Sequence, residues 1–273
     1  MPELPEVETV RRTLENYVLN KEIRDIDIFY NKMIRNQSFE AFRNQLIGKK
    51  IDRIERYGKH LVFVIDEYAL ISHLRMEGKY FIKHLEEERN KHEHVIFYFT
   101  DDSTLRYQDT RKFGTMDLIL YKDLHLNSPI VKLGYEPFNN LLDSKYLKQK
   151  LSKKTVAIKS ALLDQTIITG LGNIYVDEVL FRCNLNPNMP SNQLKKKDYD
   201  NVILYSKQVL EKAINLGGTT IRSYTSSLGV TGRFQNDLLV HTKVGTPCVV
   251  CGTEILKTKV NGRGTYYCPN CQK

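Results

Sequence analysis

The sequence predicts an α+β protein of two domains, an antiparallel β-sandwich carrying one N-terminal helix, then a helical domain that ends in a four-cysteine β-hairpin. Three observations predict it. Short β-type runs follow one another up to about residue 127 without a crossover helix, which implies antiparallel pairing. From about Leu141 the apolar residues recur at helical spacing. Two CxxC pairs then stand close to the C-terminal end. A chain of 273 residues is long enough for two domains that each bury a core.

The first element is a helix from about Leu4 to Leu19. Pro5 suits a first helical turn, Glu6 and Glu8 suit its positive end, and Val7, Val10, Leu14 and Val18 form one apolar face. Next come the β runs KEIRDIDIFY, KKIDRIERYGKHLVFVIDE, YALISHLRMEGKYFIKH, HVIFYFTDD, STLRYQD and TMDLILY, separated by EGK, DDS and KFG. They make residues 1–127 the sandwich domain. Two prolines and a glycine in LNSPIVKLGYEPFNN mark residues 128–140 as a linker. Residues 141–243 then hold DSKYLKQKLSK, AIKSALLDQ, NIYVDEVLFRC and DYDNVILYSKQVLEKAINLGG, each helical in period, the last stopped by Gly217 and Gly218. A polar, glycine-bearing stretch at 217–234 has no period, and loops of that length are usually functional. Residues 244–273 form the cysteine segment. Repeats and low-complexity tracts are absent.

A formal charge of +9 and a pI near 9.1 point to an anionic partner. Nucleic acid is favoured over membrane, because no long apolar stretch or basic amphipathic helix stands out. With no signal peptide or lipidation motif, the sequence reads as cytosolic. In that compartment disulfides are disfavoured, so Cys248-x2-Cys251-x16-Cys268-x2-Cys271 reads as a closed tetrahedral site for one structural zinc ion. TEILKTKV and TYY flank the turn NGRG and place Arg263 near a hairpin tip. Cys183 closes an apolar helical segment and reads as a small core residue.

In TGLGNIY, Gly170 and Gly172 precede a helix start at Asn173, either an anion site with Lys153, Lys154 and Lys159 nearby or an ordinary helix corner. Met76 in HLRMEG and Phe113 in DTRKFG, with Arg111 two residues earlier, are either core residues or an apolar wedge of the kind that fills a gap left by an extruded base. The start, MPELPEVETV, leaves Pro2 and Glu3 unexplained by helix capping alone. Removal of Met1 would make Pro2 a free secondary amine, with an α-amino pKa of about 8 and so a neutral fraction near neutral pH. Such an amine can attack a sugar C1′ and form an iminium ion, with Glu3 beside it to shuttle the proton.

Together PELPEVET, HLRMEG, DTRKFG, TVAIKS, GLGNIYVDE, GGTT and the four-cysteine hairpin resemble, in order and across essentially the whole chain, the bacterial formamidopyrimidine-DNA glycosylases. The resemblance implies a β-sandwich, a helix–two-turn–helix domain and a zinc hairpin, with duplex DNA in the cleft between domains. It implies a monomeric, cytoplasmic, nucleoid-associated repair enzyme without a catalytic cofactor, acting on oxidised purines and abasic sites. Pro2 would be the nucleophile, Glu3 the general acid, Glu6 its supporting carboxylate, and Lys59 a lysine near the lesion strand's phosphates. Met76, Arg111 and Phe113 would fill the vacated stack and probe the opposite base. Lys159, Asn173 and Arg263 would contact phosphate, and Glu77 would face the base pocket. His73, His94 and Tyr224 join the DNA-binding set, and residues 217–234 match the loop that closes over the oxidised base.

Two other readings compete. Endonuclease VIII uses the same proline chemistry on oxidised pyrimidines, but its start typically reads PEGPE, and Leu4 favours the formamidopyrimidine branch. A non-catalytic zinc-ribbon DNA-binding protein explains the charge and the zinc but gives no reason for Pro2 and Glu3.

Overall fold

A computed structural model describes residues 1–219 and 232–273. The chain divides into two compact units, Met1–Val131 with Gly217–Gly232, and Lys132–Leu216 with Arg233–Lys273. Gly217, Gly218 and Thr219 thus group with the first unit, although they follow directly on a helix of the second.

In the first unit, α1 spans Leu4–Val18 and buries Leu4, Val7, Val10, Leu14 and Val18. Its start is a capping box, in which the Glu3 N–H donates to Glu6 Oε2 at 2.9 Å and the Glu3 side chain answers on the Glu6 N–H. Eight strands follow: β1 (Ile23–Ile28), β2 (Ile51–Tyr57), β3 (His60–Ile65), β4 (Tyr68–His73), β5 (Lys79–His84), β6 (Glu93–Phe99), β7 (Ser103–Gln108) and β8 (Thr115–Leu120). They form two antiparallel four-stranded sheets, ordered β1-β6-β7-β5 and β2-β3-β4-β8. Val7, Val10 and Leu14 of α1 share one apolar core with Ile54, Phe63, Leu70, Phe97, Leu105 and Met116 from both sheets.

One helix in this unit is not foreseen by the pattern. Between β1 and β2, α2 runs from Phe39 to Leu46, with Ser38 Oγ accepting from the Ala41 N–H at 3.2 Å. Only Phe42 and Leu46 turn inward, so a two-turn helix carries too few apolar positions to declare a period.

The second unit holds α3 (Ser144–Leu151), α4 (Ile158–Leu162), α5 (Asn173–Arg182) and α6 (Lys196–Asn215), then a hairpin of β9 (Leu256–Val260) and β10 (Arg263–Tyr267). Asn261 and Gly262, with φ of 45° and 75°, make the left-handed two-residue turn that matches strand twist. Helix α4 stops at Leu162, short of the end of the apolar-patterned run. Gln165 is used instead in the following turn, where its amide donates to Leu163 O and Leu171 O and accepts from the Gly170 N–H. Cys183 is a buried core residue at the end of α5, and burial pushes its thiol up to about 12. Among the described residues, no helix is long and apolar enough to cross a membrane.

Candidate active site and DNA interface

In the first unit the candidate catalytic residues cluster at the start of α1. Pro2 is buried, and Glu3 and Glu6 are 3% and 4% exposed. Glu6 is the junction. One carboxylate oxygen takes the Glu3 N–H, while the other takes the Thr219 N–H at 2.7 Å and the Thr219 hydroxyl at 3.1 Å. Gly218 permits that approach, because it sits at φ +77° and a Cβ there would lie 2.7 Å from Glu6 Oε1. A Cβ on Gly232 would likewise lie 2.3 Å from Gly218 O. The resemblance gives Glu6 the role of supporting the nucleophile; that it also anchors the GGTT segment, 213 positions away, cannot be read from spacing. Tyr224, and residues 220–231 of the expected loop, lie outside the described residues.

Lys59 lies in the tight β2–β3 turn and is 5% exposed. The turn is tied to α1 through Arg56, which donates to Gly58 O at 3.1 Å and to Glu8 Oε2 at 2.9 Å. In the sequence Glu8 reads only as a helix-start acid. Burial would raise its pKa, but hydrogen bonds from Arg11, Arg12 and Arg56 more than offset that and hold it at about 2. It therefore stays ionised, and fixes the lysine turn to the helix that carries Pro2 and Glu3.

His73 pairs across the sheet with His60, their rings edge-on at 4.5 Å. Burial, with nearby cationic groups, lowers His60 to about 4 and His73 to about 2, so both are neutral at working pH. His73 Nδ1 accepts the Arg75 N–H at 2.9 Å, which leaves Nε2 as its N–H donor.

Met76 and Glu77 occupy the turn after β4, and Arg111 and Phe113 the loop after β7. Phe113 is 51% exposed, which removes the core reading for it, and the Arg111 guanidinium lies 4.8 Å from its ring centroid. The Glu77 carboxylate accepts from the Thr110 hydroxyl and so braces one loop against the other. His94, expected in the DNA-binding set, is turned inward. It is 3% exposed and directs Nε2 to Asp109 O at 2.9 Å, so it supports the loop from beneath.

The second unit brings GLGN, α4 and the hairpin together. Asn173 Nδ2 donates to Gly264 O at 3.0 Å at the start of α5, and Arg263, beside Gly264, is exposed. Lys159 departs from its expected phosphate role. It is fully buried, with Nζ held by Asp177 Oδ1 at 2.7 Å, Gly264 O at 2.9 Å and Thr265 Oγ1 at 2.9 Å. Three donors meet three protein acceptors, so the ammonium has nothing to offer a phosphate. A lysine in a basic run looks like a surface cation, and only its partners reveal otherwise. Asp177 and Glu178 close the motif GLGNIYVDE, but the sequence assigns neither a role. Asp177 Oδ2 takes His241 Nδ1 at 2.8 Å, and Glu178 accepts the backbone N–H groups of Leu239, Val240 and His241 at 3.0 Å each.

The four cysteine sulfurs lie within 4.8 Å of one another, with Cys248–Cys271 at 3.9 Å and Cys251–Cys268 at 3.5 Å. A tetrahedron with Zn–S bonds of about 2.3 Å needs sulfurs about 3.8 Å apart, so the cluster fits zinc without rearrangement. The four thiolates hold one structural zinc ion. Among the described residues, the buried cluster around it holds Phe181, Val240, Ile255, Cys248 and Cys268, with Leu239 and Tyr266 packed against them, a small core for a segment that the metal must order. Stripping zinc with a strong chelator is expected to release the hairpin and abolish DNA binding while β-sandwich circular dichroism persists. Re-adding zinc should restore binding, measured by fluorescence anisotropy of a labelled duplex.

Comparison with known proteins gives the following. The model described as "Formamidopyrimidine-DNA glycosylase N-terminal domain" matches residues 1–116, "Formamidopyrimidine-DNA glycosylase H2TH domain" matches 133–225, and "Zinc finger found in FPG and IleRS" matches 245–273. A formamidopyrimidine-DNA glycosylase of Shouchella clausii is 49% identical over 273 residues, covering 100% of this chain and 99% of that protein. One from Oceanobacillus iheyensis is 47% identical, covering 100% and 98%. Among solved structures, a point mutant of Lactococcus lactis FPG in complex with Fapy-dG-containing DNA superposes with a TM-score of 0.94 at 46% identity. The complex of L. lactis Fpg with abasic-site DNA superposes at 0.93, again at 46% identity, and each covers 100% of both chains.

Proposed function

The chain belongs to the formamidopyrimidine-DNA glycosylase family, and from that premise we propose which of its residues carry the reaction. It is a DNA glycosylase of base excision repair acting on oxidised purines in duplex DNA, with lyase activity at the resulting abasic site. After removal of Met1, which is 46% exposed, the Pro2 nitrogen uses its lone pair to form a bond to C1′ of the flipped nucleotide. The oxidised base leaves with the electron pair of the glycosidic bond. Glu3 accepts the amine's proton and returns it to the sugar ring oxygen as the ring opens to the iminium. Loss of a C2′ proton expels the 3′ phosphate, and a second elimination expels the 5′ phosphate, leaving a one-nucleotide gap.

The observation that carries this reading is the Glu6 junction, one buried carboxylate bound both to the Glu3 N–H and to Thr219. It gives the acid–nucleophile pair a fixed geometry and joins it to the segment expected over the base. Lys59, Asn173 and Arg263 supply phosphate contacts, and Met76, Arg111 and Phe113 fill the vacated stack. Nucleotide flipping costs a few kcal/mol, which those contacts must offset. The enzyme works as a monomer in the cytoplasm at the nucleoid, where a net charge of +9 favours association with DNA.

Borohydride trapping tests the assignment. A covalent adduct that maps to Pro2, on a duplex with 8-oxoguanine opposite cytosine, is the expected result. Stronger trapping on an oxidised-pyrimidine duplex would reassign the preferred lesion. An adduct mapping elsewhere, or none in zinc-loaded protein lacking Met1, would remove Pro2 as the nucleophile.

A further inference from the structure

Asp109 is fully buried, and it opens the loop that carries Arg111 and Phe113. Its carboxylate accepts three backbone N–H groups of that loop, from Arg111 at 3.0 Å, Phe113 at 2.9 Å and Gly114 at 2.8 Å. Its own N–H donates to His92 O at 3.0 Å, and its carbonyl accepts from His94. Within five residues the chain makes a turn that includes Lys112 at φ +57°, a strained conformation for a lysine that the carboxylate holds in place.

The floor of this turn is equally constrained. A Cβ on Gly114 would lie 1.7 Å from the Tyr107 hydroxyl, and one on Gly78, in the Met76 loop, 2.1 Å from it. Both loops are thus seated on one buried tyrosine, and the Thr110–Glu77 hydrogen bond ties their outer edges. What emerges is an exposed phenyl ring under a guanidinium, on backbone that a buried charge has already fixed.

We propose that Asp109 is the positioning residue that sets opposite-base discrimination, by binding the Arg111 and Phe113 amides with one carboxylate so that the wedge is formed before DNA arrives. The proposal rests on the reading of Arg111 and Phe113 as the wedge. A preformed probe discriminates because a mismatched opposite base cannot be met by shifting the loop. In the unligated protein the ordering cost has already been met, so it does not weaken binding to the preferred pair.

Asp109→Asn provides the test. An amide keeps one acceptor oxygen but turns its NH2 towards buried N–H groups, so part of the loop loses its anchor. The readout is the ratio of single-turnover rates for 8-oxoguanine opposite cytosine and opposite adenine. The expected result is a ratio lowered by roughly tenfold, consistent with one or two backbone hydrogen bonds lost. Little further change is expected when Asp109→Asn is added to Arg111→Ala, because both act through the same probe. Pro2 trapping on a single-stranded abasic oligonucleotide, which has no opposite base, should be unchanged. An unaltered ratio in Asp109→Asn, with Arg111→Ala lowering it, overturns the proposal. If neither Arg111→Ala nor Phe113→Ala moves the ratio, the wedge reading itself fails. Should Asp109→Asn not fold, exposed Lys112→Val disturbs the same turn without touching the core, because a β-branched side chain is disfavoured at φ +57°. A lowered ratio there supports the proposal and an unchanged one overturns it.

Discussion

Glu3→Gln is expected to bind lesion-containing DNA like the parent protein and to lose about 10²- to 10⁴-fold in single-turnover base excision, the range spanned by general acid–base groups. The substitution is nearly isosteric. Glutamine can still accept the Glu6 N–H and complete the capping box, so α1 and the Glu6 junction with Thr219 stay in place. What glutamine cannot do is take the proton from the Pro2 amine and deliver it to the sugar. The two consequences separate cleanly, with anisotropy titration giving affinity and rapid quench giving the rate of the bound complex. Loss of lesion binding with turnover per bound complex intact would falsify the proton-transfer role and leave Glu3 as a cap.

Lys159→Ala is expected to act on stability first and DNA second. The ammonium and Asp177 form a fully buried pair, and removing one partner of such a pair typically costs about 3–5 kcal/mol because the other charge is left uncompensated. Differential scanning calorimetry should show the transition of the second unit lowered by roughly 10–20 °C, on the scaling of about 4 °C per kcal/mol for a unit of this size. Weaker DNA binding would follow from the loss of two tethers on the turn beside Arg263, at Gly264 O and Thr265 Oγ1. Lys159→Met with Asp177→Leu should recover part of the stability, since replacing both charges leaves neither stranded. The opposite pattern, an unchanged melting transition with a salt dependence of binding reduced by about one phosphate, would restore Lys159 to the phosphate set.

The role proposed for Glu3 is drawn from within five residues of chain, from a proline and a carboxylate next to each other at a helix start. The zinc ligands are legible for the same reason, as CxxC corners declare themselves locally and a closed site needs four of them. The α1 face, most strands and the four helices of the second unit follow from periodicity. Helix α2 does not, for two inward residues make no period.

Lys159 and His94 are given the right neighbourhoods by the sequence and other partners by the fold. Each is a polar side chain in a polar stretch, and sequence cannot say whether such a group faces water or a buried acceptor. The roles of Asp177, Glu178 and Asp109 escape notice for a related reason, because most of their partners are backbone N–H groups or side chains many positions away, which leave no mark in composition or spacing.

By itself, then, the sequence determined the architecture, the metal site and the family, all of which rest on local order or on regular spacing of residue types, and it pointed to the Pro2–Glu3 pair that we propose as nucleophile and acid. Tertiary structure alone decided which charges are buried and what they hold. It placed Glu6 against Thr219, Lys159 inside rather than on the surface, and Asp109 beneath the loop of Arg111 and Phe113. The physical reason is desolvation. A charge withdrawn from water must be met by donors or acceptors at hydrogen-bond distance, and only the folded chain brings those within reach.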